Sequence, residues 1–449
     1  PSGEPDTSSL PPRRDKEIRS LPRSERATMA VERKFVVILL CFALLSCTAV
    51  GESGGNHPRR ALTAAAPPTS VFDVTTFGAR GDGKGSNVQA FMKAWNAACK
   101  SPQPATLLIP TGTFVAGEVV FQGPCAHPIT VEVRGTVKSV TDLSSFTAME
   151  WISFEMVTGL VVTGGGIFDG SGPAVWAHNN CGTSSSCGLL PTSLKFKKIT
   201  DGVVRNITSV DAKSFHIGVT NCTRFTAEGL RIKAPEDSPN TDGLHISKSA
   251  AVAVLDSVIG TGDDCVSLGD GLTNVTIERI TCGPGHGISV GSLGKYKDEE
   301  DVKGVVVRNC TFRNTTNGAR IKTWPGSPPS RATQIMYEDI ILDNVRNPIL
   351  IDQNYGGTSK SKVANNRPSS VQLSNIQFRN IRGSSVNADA VTLSCSPSAP
   401  CDGVELRDID ITFNGAHAIS SCQNAKITTR GVMNPPACAE PFGATPKNG

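Results

Sequence analysis

Aromatic residues are scarce in this 449-residue chain: they make up 5%, with only three Tyr and four Trp. Together with 44 glycines and abundant Val, Ile, Thr and Asn, that points to many short strands rather than helices. An excess of one charge is missing too. Lys and Arg number 44 against 40 Asp and Glu, a net of +4, which is too little to argue for a nucleic-acid partner. No Cys-x-x-Cys or His-x-x-x-His spacing occurs, so nothing in the sequence suggests a metal site or a resident cofactor. The longest apolar run, Phe35 to Leu45, is too short to span a bilayer.

That run has a different meaning. Residues Pro1 to Thr28 are rich in Pro, Ser, Arg and acids without apolar periodicity and read as an upstream, disordered segment. Met29 then opens a basic pair (Arg33, Lys34), the apolar run and the small residues Cys47-Thr-Ala49. This is the three-part layout of a secretory signal over 29–49, with no membrane segment in the mature chain. A Pro/Ala linker follows over 50–70, the folded domain over 71–441, and a short tail over 442–449. Removing residues 1–49 leaves 36 basic against 34 acidic residues, so attraction for an acidic substrate must be local.

Cys41 and Cys47 leave with the signal, and the even count that remains favours disulfides in an exported protein. Local spacing suggests Cys99–Cys125, Cys181–Cys187, Cys265–Cys282, Cys395–Cys401 and Cys422–Cys438. Cys222 and Cys310 are left to pair or to stay as buried thiols. Sequons at Asn206, Asn221, Asn274, Asn309 and Asn314 fit glycosylation and export, although several fall in predicted strands.

Early in the chain Gly78, Gly83 and Lys84 have phosphate-loop spacing, but Gly85 stands where Ser or Thr is required. Instead, Asn87 or Ser86 is expected to cap a helix over Val88 to Cys99, with Val88, Phe91, Trp95 and Cys99 on one face. Beyond it, repetition takes over. Val204-Arg-Asn-Ile-Thr208, Val305-Val-Val-Arg-Asn-Cys-Thr311, Ile335-Met-Tyr-Glu-Asp-Ile-Ile341 and Val404-Glu-Leu-Arg-Asp-Ile-Asp410 each set a polar residue before an apolar one. Landmarks recur every 22 to 36 residues with no helices between them, the mark of a solenoid. The expected fold is all-β: a single-stranded right-handed parallel β-helix whose open N-terminal end is covered by the capping helix.

A second set of short strands repeats at the same interval: Leu244-His-Ile246, Val266-Ser-Leu268, Ile288-Ser-Val290, Arg320-Ile-Lys322 and Ile349-Leu-Ile351. Stacked about 4.8 Å apart, they place Asp242, Asp263, Asp264, His286, Arg320 and Lys322 on one face. Taken singly each has an ordinary reading as a turn residue or a solvated strand face. Their shared register makes one patch of them. Crowded acids resist joint ionisation, so such a patch can hold one proton while its neighbours are charged, a combination suited to paired general acid and base work.

The motifs Asn240-Thr-Asp242, Gly262-Asp-Asp264, Gly285-His-Gly287 and Arg320-Ile-Lys322 resemble, in order and without substitution, those of the polygalacturonase family of glycoside hydrolases. The resemblance runs from about Val71 to Pro441. It implies inverting, metal-free hydrolysis of the α-1,4 bonds of pectic homogalacturonan by a secreted, monomeric cell-wall enzyme. By position in the motifs it makes Asp263 the general acid, with Asp242 and Asp264 holding and activating water. His286 would tune the acid, Arg320 and Lys322 would take the substrate carboxylate, and Tyr355 would line the sugar cleft. Lys322 is expected to be an exposed cation with little weight in folding, and His245 to be structural. The stretches Ser289-Val-Gly-Ser-Leu-Gly-Lys-Tyr296 and Ile351-Asp-Gln-Asn-Tyr355 are similar to the exo-acting pollen-type group. There the segments Ala174 to Leu190 and Lys295 to Lys303 would wall off one end of the groove. A pectate lyase would need calcium carboxylates and a basic residue as base, and an inactive wall-binding scaffold would have no need of all three acids.

Overall fold

The polar residue that precedes an apolar one in each repeat is where the chain turns. Asn206, Asn309, Asp339, Asn375 and Asp408 have φ between 50° and 54°, a left-handed conformation that Asn and Asp tolerate best among residues with a side chain. The next residue (Ile207, Cys310, Ile340, Ile376 or Ile409) is buried. Each repeat therefore bends at the polar position and drops an apolar side chain into the core. The five sequon asparagines all sit at such positive-φ positions and all are exposed, including those expected inside strands.

The structure, a computed structural model, describes residues 69–179, 188–356 and 367–438. The signal segment, most of the linker, the tail and the Cys181–Cys187 pair lie outside the described residues. Successive turns pair in parallel and in register, as in Leu244↔Val266↔Ile288. The exception is a short antiparallel pairing of Thr412 and Phe413 with His417 and Ala416. One ladder of eleven strands runs the length of the solenoid, and a longer parallel sheet system closes the other sides. The fold is a parallel β-helix. No described helix is long and apolar enough to cross a membrane.

Most of the described aromatics are buried. Phe121, Phe154, Phe196 and Phe225 stack on successive turns with centroids 5.1, 5.3 and 4.9 Å apart. Trp95 of the helix α1 (Val88–Cys99) closes that column 4.8 Å from Phe121. Its indole N–H donates to the Gln122 carbonyl at 3.0 Å, so α1 plugs the N-terminal end as expected. The cap falls to one of the two expected residues. Of the two residues expected to cap it, the Asn87 side chain does not; it accepts from the Arg80 N–H and donates to the Val115 carbonyl, tying the loop to a strand, whereas Ser86 Oγ accepts from the Val88 N–H at 3.5 Å. Four of the five expected disulfides are present: Cys99–Cys125, Cys265–Cys282, Cys395–Cys401 and Cys422–Cys438. Cys222 and Cys310 are buried free thiols.

One register expectation is corrected. The motif strand begins at Asn317, and Ala319, not Arg320, faces Ile288. Arg320 pairs with Ser289. Side chains alternate with period two, so this register puts Arg320 and Lys322 on the outward row, the face on which the sequence reading placed them.

Candidate active site

The eleven-strand ladder exposes an outward row along its surface. Lys195, Gly218, His245, Ser267, Ser289 and Arg320 pair with one another on six consecutive turns. The acids stand at the turns that feed these strands. The Asp264 carbonyl accepts from the Gly243 N–H next to Asp242, and the Asp263 carbonyl accepts from the His286 N–H. Three adjacent turns are thereby locked side by side. Gly262 permits this approach: a Cβ there would lie 2.1 Å from the Ser238 carbonyl oxygen. The Cys265–Cys282 bridge holds the same turn from the interior.

The three carboxyls meet different surroundings. Asp264 is 1% exposed. Its Oδ1 accepts from Arg320 Nη2 at 2.5 Å and Ser289 Oγ at 2.8 Å, and its Oδ2 from Lys322 Nζ at 2.8 Å. Burial opposes its charge, but Arg320 and Lys322 outweigh burial and hold its pKa down at about 2. Asp242 is also buried and accepts from Ser267 Oγ at 2.6 Å. Burial first, then the charges of Asp263 and Asp264, push its pKa well above the carboxylate range. The Asp263 side chain is 20% exposed. One of its oxygens accepts from the Asp264 N–H at 2.8 Å and meets His286 Nδ1 at 2.9 Å; the other lies 3.4 Å from Asn240 Nδ2. Asn179 in turn donates to Asn240 Oδ1 at 3.1 Å.

All six residues expected on the active face converge on this patch, and Tyr355 sits at its edge with its ring centroid 5.1 Å from Lys322 Nζ. Trp324 packs edge-on against Tyr355 at 5.5 Å. Lys322 is not the exposed cation expected from sequence. It is 6% exposed and its charge is matched by Asp264. Asp263, Asp264 and His286 bring their ligand atoms within 4.8 Å of one another, but the ammonium and guanidinium already on Asp264 oppose a cation there.

Sequence reasoning passed over Ser267 and Ser289, which touch Asp242 and Asp264 directly. The usable signal was their common middle position in three-residue strands of equal phase. His245 is structural in the sequence reading. Its Nδ1 lies 2.9 Å from Ser267 Oγ, and burial lowers its pKa to about 4, so above pH 5 it is a neutral member of a His245–Ser267–Asp242 chain.

Residues 99–435 match glycosyl hydrolases family 28. The chain belongs to that family. Among curated family 28 relatives, an exopolygalacturonase of Arabidopsis thaliana is 46% identical over 90% of this chain and 95% of its own. A polygalacturonase of Gossypium hirsutum is 47% identical over 86% and 95% respectively. Of solved structures, an exopolygalacturonase of Thermotoga maritima superposes with a TM-score of 0.69 at 17% identity, covering 81% of this chain and 91% of that one. At that identity the likeness concerns the fold alone.

The raised pKa of Asp242 has a consequence for stability in this family 28 chain. A buried acid whose folded pKa is raised is favoured protonated, and its ionisation costs stability as pH rises through the folded value. Asn imitates the protonated form. Asp242→Asn is therefore expected to raise the melting temperature at pH 7, to leave it nearly unchanged near pH 3, and to abolish turnover. A melting temperature that falls at pH 7 would show that Asp242 is stabilised as a carboxylate.

Proposed function

We propose that this protein hydrolyses the α-1,4-galacturonosidic bonds of pectic homogalacturonan from a chain end, releasing galacturonic acid with inversion in a single displacement. The observation that carries this is a cluster of three carboxyls with opposed environments on the outward face of a family 28 solenoid. Relatives named exopolygalacturonase, at 46% and 44% identity, support exo action.

In the proposed reaction the aglycone oxygen must be protonated while water attacks the opposite face of the sugar. Asp263, the most exposed of the three, is the acid that meets the glycosidic oxygen, and His286 Nδ1 orients it. Asp242 and Asp264 hold and activate the water. Asp264, with three of its acceptor positions already filled, acts mainly by fixing charge; the one proton that the crowded carboxyls retain stands on Asp263 in the reactive complex, which leaves Asp242 ionised to take the water's proton. Arg320, Lys322 and Tyr355 line the sugar site, and Arg320 and Lys322 together bring one positive charge beyond what Asp264 neutralises. No cofactor is invoked. Disulfides and exposed sequons favour an exported, cell-wall location, and a monomer suffices because one chain supplies every residue of the site.

Product analysis on polygalacturonate tests the reading. Monogalacturonate is expected from the first minutes, with viscosity falling slowly relative to new reducing ends. A rapid viscosity drop with mixed oligomers would show a groove open at both ends and make the enzyme endo-acting. An unsaturated product absorbing in the ultraviolet would replace hydrolysis by elimination.

A further inference from the structure

The proposed substrate carries one carboxylate per sugar, yet Arg320 and Lys322 are largely committed to Asp264. With Asp242 and Asp263 alongside, the patch offers at most the one positive charge that Asp264 leaves over. The outward row offers a second at its other end. Lys195 stands on the row three turns before Ser267, as Arg320 stands two turns after it. At about 4.8 Å per turn those separations are roughly 14 and 10 Å.

Lys195 is built differently from its neighbours. Lys197, on the same strand, is neutralised by Glu150 at 2.7 Å and Glu155 at 3.4 Å. Lys195 has no carboxylate within ion-pair distance among the described residues; its Nζ donates to Thr220 Oγ1 at 2.9 Å. The side chain lies across Gly218, where an added Cβ would stand 2.7 Å from Lys195 Cδ and 3.0 Å from Nζ. The missing side chain at 218 is thus what lets the ammonium cross from its own strand to the next, one turn nearer Ser267, where Thr220 holds it. Between the ammonium and Asp242 lies a flat surface, Phe215 stacked on His245 with centroids 4.9 Å apart. Burial lowers the pKa of Lys195, a cost that an arriving carboxylate would offset.

We propose that Lys195 is a carboxylate anchor for the uronate bound on the N-terminal side of the acids, a specificity-determining residue opposite Arg320 and Lys322. Gly218 clears its path and Thr220 holds its ammonium in place. The inference rests on the galacturonan reading, and the two can fail separately. If the wild-type chain does not cleave trigalacturonate, the substrate reading falls. If the wild type cleaves it and Lys195 substitutions change nothing, only this inference falls.

The test is trigalacturonate hydrolysis by the wild type, Lys195→Met and Lys195→Arg at low and high salt. A hydrogen bond to a charged group contributes about 1.5–3 kcal/mol, so Lys195→Met is expected to raise KM roughly 10-fold or more with kcat within about twofold. Its KM should depend less steeply on salt, and Lys195→Arg should recover most of the affinity. The trisaccharide with its carboxyls reduced to alcohols, used as a competitive inhibitor, should bind wild type and Lys195→Met alike. An unchanged KM in a folded Lys195→Met, or an equal loss for the neutral trisaccharide, would overturn the assignment and make Lys195 a packing residue over Gly218. If the Met variant does not fold, Lys195→Gln, one atom shorter than Lys, keeps a neutral donor for Thr220, and the same two comparisons decide.

Discussion

Asp263→Asn is expected to lose nearly all hydrolysis while keeping its fold. General acid catalysis alone is worth about 10²–10⁴-fold, and an amide of the same shape cannot deliver the proton. The fold should survive because the contacts of Asp263 are ones an amide can largely keep. Its carbonyl oxygen can still accept from the Asp264 N–H and from His286 Nδ1, which now meet one carboxylate oxygen at 2.8 and 2.9 Å. The 3.4 Å contact with Asn240 Nδ2 is the weakest of the set, so facing two amide nitrogens there costs little. The measurement is kcat on polygalacturonate together with the melting temperature. Near-normal turnover in a variant that melts with the wild type would remove Asp263 from the acid's role and leave Asp242, the carboxyl with the raised pKa, as the proton donor.

Lys322→Ala should cost stability as well as activity, contrary to what an exposed cation in a cleft would do. The ammonium is buried and donates to Asp264 Oδ2 at 2.8 Å, in a site where Asp264 is 1% exposed. Breaking a buried ion pair by removing one partner costs about 3–5 kcal/mol. Arg320 keeps the other oxygen of Asp264 at 2.5 Å, which places the expected loss at or below the low end of that range. Acid unfolding should change with it. The pKa of Asp264 is lowered to about 2, so its contribution to stability is present above its unfolded value near 4 and fades as pH falls toward 2. Without Lys322 that depression shrinks, and the acid unfolding midpoint should move to higher pH. A melting temperature and an acid midpoint both equal to wild type would show that Lys322 carries no structural charge pair in solution.

The two kinds of information divided unevenly. The sequence alone determined the solenoid, because each turn repeats a polar residue at a left-handed bend followed by an apolar residue in the core, and both halves of that signal are local. It also determined which six residues share one face, since residues separated by whole turns must stack. Helix α1 was legible from the spacing of Phe91, Trp95 and Cys99, but the choice between Ser86 and Asn87 at its start was not, because the Asn87 side chain satisfies Arg80 and Val115 and leaves Val88 to Ser86. That competition is invisible in the order of residues.

What only the tertiary structure decided was how the charges partner one another. Arg320 lay one residue out of register in the sequence reading because the turn that leads to it from Ser289 spans 31 residues, against 22 from His245 to Ser267. Spacing alone cannot count such an insertion. The burial of Lys322 likewise depends on Asp264, 58 residues away. The same holds for the proton balance of the site: Asp263 and Asp264 are neighbours in sequence, yet Arg320 and Lys322 reach only one of them. The row that joins Lys195 to Arg320 through Gly218, His245, Ser267 and Ser289 spans six turns, and its chemistry exists only once those turns are stacked. Partner, depth and register are properties of the folded chain, because each is set by residues a full turn or more away.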